Sequence, residues 1–223
     1  MTARDRVKAC LAGSPTDLPP SVVWSASPGH QADVIVTDWE SVKRACETHP
    51  DQLVLGLIQS PLSLAMFRSL DLVEELAADP EKGEATLSAI TQECKDRIES
   101  VKDQGGHGIL YFLNGAHPEV TSPMQYGGYF LEVDRELLGL VQDCELNILF
   151  MAGRDEEVYL DVVGDLPVAV VGWDNAAITI PIELAKQSIH RKIALDHPQA
   201  DFLLASHYDE IERLLERAVL IKN

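Results

Sequence analysis

Eight short apolar runs punctuate the chain, and most are separated by segments whose apolar residues recur at helical spacing. The runs are 21–25 (SVVWS), 33–37 (DVIVT), 53–59 (LVLGLIQ), 108–114 (GILYFLN), 146–152 (LNILFMA), 168–173 (VAVVGW), 192–195 (KIAL) and 201–205 (DFLLA). They are rich in β-branched residues, and the central ones do not alternate with polar positions. That is the pattern of parallel strands buried on both faces. Residues 2–12 read as a short helix with Thr2 as N-cap and Val7, Cys10 and Leu11 on one side; Gly13 and a Pro-rich turn end it. A helix follows the second run through Glu47. A long helical region from about 62 to 104 breaks near Asp79-Pro80, another spans about 122–144, and an amphipathic helix follows the last run.

Strand–helix repetition of this kind predicts an α/β fold. Eight runs suit a (β/α)8 TIM-like barrel formed by a single domain over residues 1–223, shortened against the ~250 residues typical of that fold. Whether eight strands complete the barrel is left open by the pattern, because too few residues lie between the seventh and eighth runs for a crossover helix. A doubly wound open sheet is the alternative, but no GxGxxG loop follows the first run to support it.

Charge narrows the partners. The chain carries 36 acidic against 18 basic residues, a formal net charge of −18, and shows no Lys/Arg cluster. Nucleic acid and anionic membrane surfaces are excluded as partners, and a polyanionic substrate would need a local basic pocket. A small-molecule ligand is the expected partner. Cys10, Cys46, Cys94 and Cys144 lie far apart with no CxxC pair, so reduced thiols and a cytoplasmic location are expected, with the cysteines as small packed side chains. No apolar run follows Met1, so no signal peptide is expected, and no stretch approaches the ~20 apolar residues of a membrane span.

Several stretches, in order, resemble the uroporphyrinogen decarboxylase family, which includes zinc-dependent, corrinoid-linked methyltransferases. TARDRVKACLAGSPTDLPPSVVW is similar to that family's opening helix, "G-x-P-x-D-x-x-P" turn and first strand. LGLIQSPLSLAMF resembles its "G-x-P-x-T-L" strand end and helix, and GILYFLNGAHPEVTSPMQYGGYF its fourth-strand loop and "SP-x-x-Y" helix start. ILFMAGRDEEVYLDVVGDLPVAVVGWD, KIALDHP and DEIERLLERAV fit the later strands and closing helix. The resemblance implies a TIM barrel and decarboxylase-type lyase chemistry without a required cofactor, on a tetrapyrrole, corrinoid or small carboxylated ligand. It also implies pairing of two copies with active faces opposed, an arrangement a shortened barrel could have lost.

The departures are as informative. Ala26-Ser27-Pro28-Gly29-His30 stands where the decarboxylases carry the arginines of "RQAGR". No counterpart to the aspartate of an "FSDI"-like strand end is evident, and Phe67 stands at a tyrosine position. Phe150-Met151-Ala152 replaces the "H-x-C" zinc pair of the methyltransferases.

In a barrel the active face lies at the carboxyl ends of the strands. Reading off those ends gives His117, Asp174 and His197 as candidate acid–base groups, and His30, Gln59, Asn114, Arg154, Asp155, Asn175, Asp196 and His207 as candidate ligand-binding groups. Arg154 is the candidate for a ligand carboxylate or phosphate. His30, His117, Asp174 and His197 are the candidate ligands for a divalent metal, which suits neutral imidazole and carboxylate. Three readings compete: a divergent decarboxylase-type enzyme, a metal-dependent methyltransferase-like or hydrolytic enzyme, and a non-catalytic binding or assembly protein.

Overall fold

A computed structural model describes residues 1–24, 32–153, 158–173, 192–197 and 200–205. Each apolar run becomes a strand: β1 (Ser21–Trp24), β2 (Val34–Asp38), β3 (Leu53–Gln59), β4 (Gly108–Asn114), β5 (Ile148–Ala152), β6 (Val170–Trp173), β7 (Lys192–His197) and β8 (Ala200–Ala205). They form a closed barrel in sequence order. Strands β1 to β7 pair in parallel. Strand β8 runs antiparallel to both β7 and β1 and closes the ring. The short β7–β8 connection explains this: it leaves no room for a crossover, so the chain turns back on itself. The reversal also moves the end of β8. Ala205 lies opposite Ile193, near the start of β7, so β8 ends at the amino-terminal rim rather than the carboxyl-terminal one.

The described helices are α1 (Ala3–Leu11), α2 (Val42–Thr48), α3 (Pro61–Phe67), α4 (Leu72–Ala78), α5 (Pro80–Asp103), α6 (Pro123–Tyr129), α7 (Leu131–Gly139) and α8 (Leu160–Val163). Thr2 caps α1 as its sequence predicts, accepting from Asp5 N. The helical region broken at Asp79-Pro80 resolves into α3, α4 and α5; Asp79 caps α5 and Pro80 starts it. Ser122 and Gln125 close a capping box on α6.

Two apolar clusters result. One fills the lumen, with Val22, Val34, Val36, Leu53, Leu55, Leu110, Ile148, Phe150, Val170, Ala194 and Leu204. The other packs the outer strand faces against the helices. Because successive strand residues point to opposite faces, lumen membership of alternate residues fixes which later residues also point inward.

Helix α1 belongs to the lumen cluster through Val7 and Cys10. It lies across the amino-terminal rim, where Arg6 pairs with Asp33 before β2 and Arg4 and Lys8 with Glu145 before β5. Asp33 also accepts from Ser21 N at 2.8 Å, tying the starts of β1 and β2 together. A second clamp is Asn147, which is buried. Its Oδ1 accepts from Ile109 N at 3.2 Å and its Nδ2 donates to Val141 O. Asn147→Ala should strand both backbone groups inside the fold and destabilise it by about 2 kcal/mol, measured by urea unfolding. A loss below about 0.5 kcal/mol would show that the clamp does not matter. Among the described residues no helix is long and apolar enough to cross a membrane.

Candidate functional site

The carboxyl-terminal rim is assembled by strand alternation. In β3, Leu53, Leu55 and Leu57 belong to the lumen, so Gln59 points inward; in β4, Leu110 and Phe112 do the same for Asn114. Both predicted residues therefore stand at the mouth, half-buried. Asn114 is held firmly. Ser63 on α3 accepts from Asn114 N at 2.7 Å and donates to Phe112 O at 3.1 Å, and Ser60 N donates to Phe112 O at 2.9 Å. The start of α3 is thereby fastened to the end of β4.

Gly115 follows with φ of 106°, in the region that favours glycine, where a Cβ would meet Leu62 at 2.5 Å. The turn brings His117 back to Asn114, with Nε2 donating to Asn114 Oδ1 at 3.1 Å. His117 is only 4% exposed. Its carbonyl accepts from Val120 N and Thr121 N, and Thr121 Oγ1 donates to Gly115 O, so the loop is internally braced. The structure thus unites two predicted residues, a half-buried Asn114 and a buried His117, in a braced loop.

Strand β2 corrects one expectation. It runs one residue past the apolar run, and Asp38 ends it. Val34 and Val36 are lumen residues, so Asp38 points inward at the rim, and it is exposed. Asp38 is thus a strand-end aspartate that the apolar run, read as ending at Thr37, does not reach. The signal available was the alternation Val34, Val36, Asp38, which continues past Thr37.

Beside these residues lies an aromatic cluster that the sparse aromatic content does not announce; Gln59 is the register partner of Phe112. Phe112 and Phe150 stack with centroids 6.1 Å apart at 22°, and Trp24 meets Phe150 edge-on at 6.3 Å. Positions 150 and 152 both point inward, as an "H-x-C" metal pair would need to. Here Phe150 is locked into the aromatic cluster and Ala152 carries no donor. These residues do not fit the zinc that the resemblance implies. Among the described residues no three His, Cys, Asp or Glu side chains come together to hold a metal. The cysteines are free thiols. Cys94 donates to Gln59 O at 3.5 Å, and burial pushes its thiol up to about 12, so it is inert.

Asp196 and His197 end β7 at a register shift against β8, where Asp196 faces Phe202 and His197 faces Ala200. His30, Arg154, Asp155, Asp174, Asn175 and His207 lie outside the described residues. His107, read as structural from the sequence, accepts from Val54 N at its Nδ1 at 2.9 Å, at the amino-terminal rim.

Outside the barrel, Asp134 on α7 is buried between Tyr111 of β4 and Tyr126 of α6, accepting from each hydroxyl at 2.6 Å. Burial raises its carboxyl to about 6, against the opposing pull of the two hydrogen bonds. The same burial and the carboxylate push both phenols well above their usual range.

No protein-family model matches the sequence, and no curated protein matches it significantly. Solved structures do. A methyltransferase from Methanosarcina mazei aligns with a TM-score of 0.67 at 12% identity, covering 86% of this chain and 82% of that one. The Bacillus subtilis mannanase BCman aligns with a TM-score of 0.54 at 12% identity, covering 86% and 73%. The B. subtilis mannanase man26 gives 0.54 at 11%, covering 88% and 76%. At such identities the likeness speaks for architecture: this chain has the α/β barrel fold that the methyltransferase and the mannanases share.

Proposed function

We propose that the chain is a small-molecule barrel protein of the decarboxylase and methyltransferase type. Its mouth would receive a flat, conjugated ligand of tetrapyrrole or corrinoid kind that carries few carboxylates. The observation that carries this reading is the company of aromatic and polar side chains at the mouth. Trp24, Phe112 and Phe150 make an aromatic floor. Gln59 is the register partner of Phe112, Asn114 lies two residues further along β4, and Asp38 ends β2, so two amides and a carboxylate border that floor. A planar ring gains by lying on aromatic faces, while amides and a carboxylate hold its polar edge. None of the described carboxyl-terminal strand ends is a lysine or arginine, and the whole chain is acidic, so uroporphyrinogen itself, a polycarboxylate, is a poor fit.

In a decarboxylase-type reaction, positive charge develops on the ring when a ring carbon is protonated before CO2 leaves. A carboxylate placed beside that charge lowers the barrier. Asp38 takes this role in our reading, with Asp174 and His197 as further acid–base groups and the buried His117 as the brace for Asn114. Metal-dependent methyl transfer is not favoured, because Phe150 and Ala152 offer no ligands.

The test is a titration with coproporphyrin and, separately, hydroxocobalamin, followed by the visible band and tryptophan fluorescence. One of the two should bind with a shifted band. Trp24→Leu should weaken that binding by about tenfold, roughly the worth of one aromatic contact. Asp38→Asn should retain binding and abolish any turnover. Absence of a shift with both chromophores would defeat the reading. Formation of coproporphyrinogen from uroporphyrinogen would overturn the exclusion of polycarboxylates.

A further inference from the structure

The corner between α3 and α4 leaves apolar surface uncovered on the flank of the barrel. Phe67 is 77% exposed and Leu70 44%. Between them Ser69 adopts φ of 58°, the sole non-glycine residue with positive φ among those described. That conformation is unfavourable for a residue with a Cβ. The chain thus holds a strained turn that leaves two large apolar side chains in solvent.

Leu70 lies on the border of two contiguous open troughs. The first, about 370 Å³, is lined by Leu62, Met66, Leu70, Val73 and Val120, with Glu119 at its edge. The second, about 430 Å³, is lined by Leu70 with Asp71, Glu74, Glu75, Asp79 and Lys82. Lys82 pairs with Glu75 at 2.5 Å, so it neutralises one carboxylate and leaves three. Apolar and acidic surface therefore lie side by side, joined at Ser69, Leu70 and Asp71.

We propose that this double trough docks a basic amphipathic segment of a partner polypeptide. Apolar side chains one helical turn apart would enter the Met66–Leu70–Val73 trough, and lysines or arginines would face Asp71, Glu74 and Asp79. Charge selects this occupant. A second copy of the chain brings a net charge of −18 to an acidic surface, and an anionic lipid surface is repelled for the same reason. The first trough also shares Glu119 and Val120 with the braced loop that carries His117, so an occupant would sit against the back of that loop.

The probe is a fluorescein-labelled amphipathic peptide of leucine and lysine, read by anisotropy, beside its leucine–glutamate counterpart. The lysine peptide should bind in the micromolar range and the glutamate peptide should not. Leu70→Asp should weaken binding about tenfold or more, the effect of losing a central anchor. It does so while making the protein more acidic, which non-specific charge attraction would reward with tighter binding. Glu74→Lys should weaken binding far more than Glu99→Lys. Glu99 lies on α5 ~25 Å along the helix from Lys82 and lines neither trough, and both substitutions change net charge equally. Circular-dichroism melts confirm that each variant is folded, and Leu70→Ala serves if Leu70→Asp is not. Undiminished binding in both Leu70 variants, or equal effects at Glu74 and Glu99, would overturn the proposal. A dimer in sedimentation that Leu70→Asp dissociates, or vesicle binding that it abolishes, would assign the face to another occupant and overturn it as well.

Discussion

Replacing Asp134 with alanine should cost about 3–5 kcal/mol at pH 5, and less at pH 8. Two effects combine. The substitution leaves the Tyr111 and Tyr126 hydroxyls buried without an acceptor, each worth about 1–3 kcal/mol, and opens a small void. Against this, the native carboxylate is itself expensive when ionised. Its pKa in the fold, about 6, lies above the ordinary 3.8. The folded state therefore holds the proton more tightly than the unfolded chain. The stability this provides is complete below about pH 4 and is lost as pH rises through 6, roughly 3 kcal/mol in all. Asp134→Asn separates the two effects, since an amide keeps an acceptor and cannot ionise. Its stability relative to wild type should rise between pH 4 and 7 by that amount and stay flat above. Urea unfolding at pH 4, 5, 7 and 8 checks both variants; a pH-independent difference for Asp134→Asn would show that Asp134 is not the titrating group.

This cluster was not legible in the sequence. An acidic residue on an amphipathic helix reads as solvated, and nothing in LEVDRELLG marks Asp134 as the residue facing the sheet. Its burial follows from two tyrosines that converge from β4 and α6. The strands, in contrast, were readable because continuous apolar runs bounded by turn residues allow few alternatives. The run 201–205 gave a strand but no direction. Apolarity does not encode polarity of the chain, and only the shortness of the preceding connection pointed to the antiparallel β8.

At the mouth, Gln59 and Asn114 were legible because each is the polar residue that ends a long apolar run. Asp38 was hidden because the run in β2 is short and Thr37 already reads as its end. The aromatic floor was hidden for a different reason. Trp24, Phe112 and Phe150 come from three strands, and their meeting depends on barrel closure and on the pairing of Phe112 with Phe150 across β4 and β5. The family resemblance supplied the right fold and marked 150–152 as the place where the methyltransferases carry their metal pair. It said nothing about what an aromatic at 150 would build there.

Gly108→Ala should be the most damaging single methyl in the described barrel. Gly108 opens β4 with φ of 150°, a backbone conformation that residues with a Cβ rarely adopt. A Cβ there would lie 1.8 Å from Leu146 O and 2.9 Å from Asn147 Oδ1. A carbon–oxygen contact needs about 3.3 Å, so the two chains would have to separate by more than 1 Å. Neither can move alone: Leu146 N donates to His107 O, Asn147 holds Ile109 N, and Val170 N donates to Asn147 O, which links β4, β5 and β6 at their starts. The expected loss is more than about 5 kcal/mol, comparable to the whole stability of an ordinary domain, so the variant should be unfolded or insoluble at 25 °C. Gly127→Ala is the matched control. It adds the same methyl within α6, where nothing lies within 4 Å, and should raise stability by about 0.5–1 kcal/mol through helix propensity. If Gly108→Ala melts within a few degrees of wild type by circular dichroism, the close approach of β4 to the start of β5 is wrong. The placement of Asn114 at the other end of β4, and with it the mouth, would then need to be redrawn.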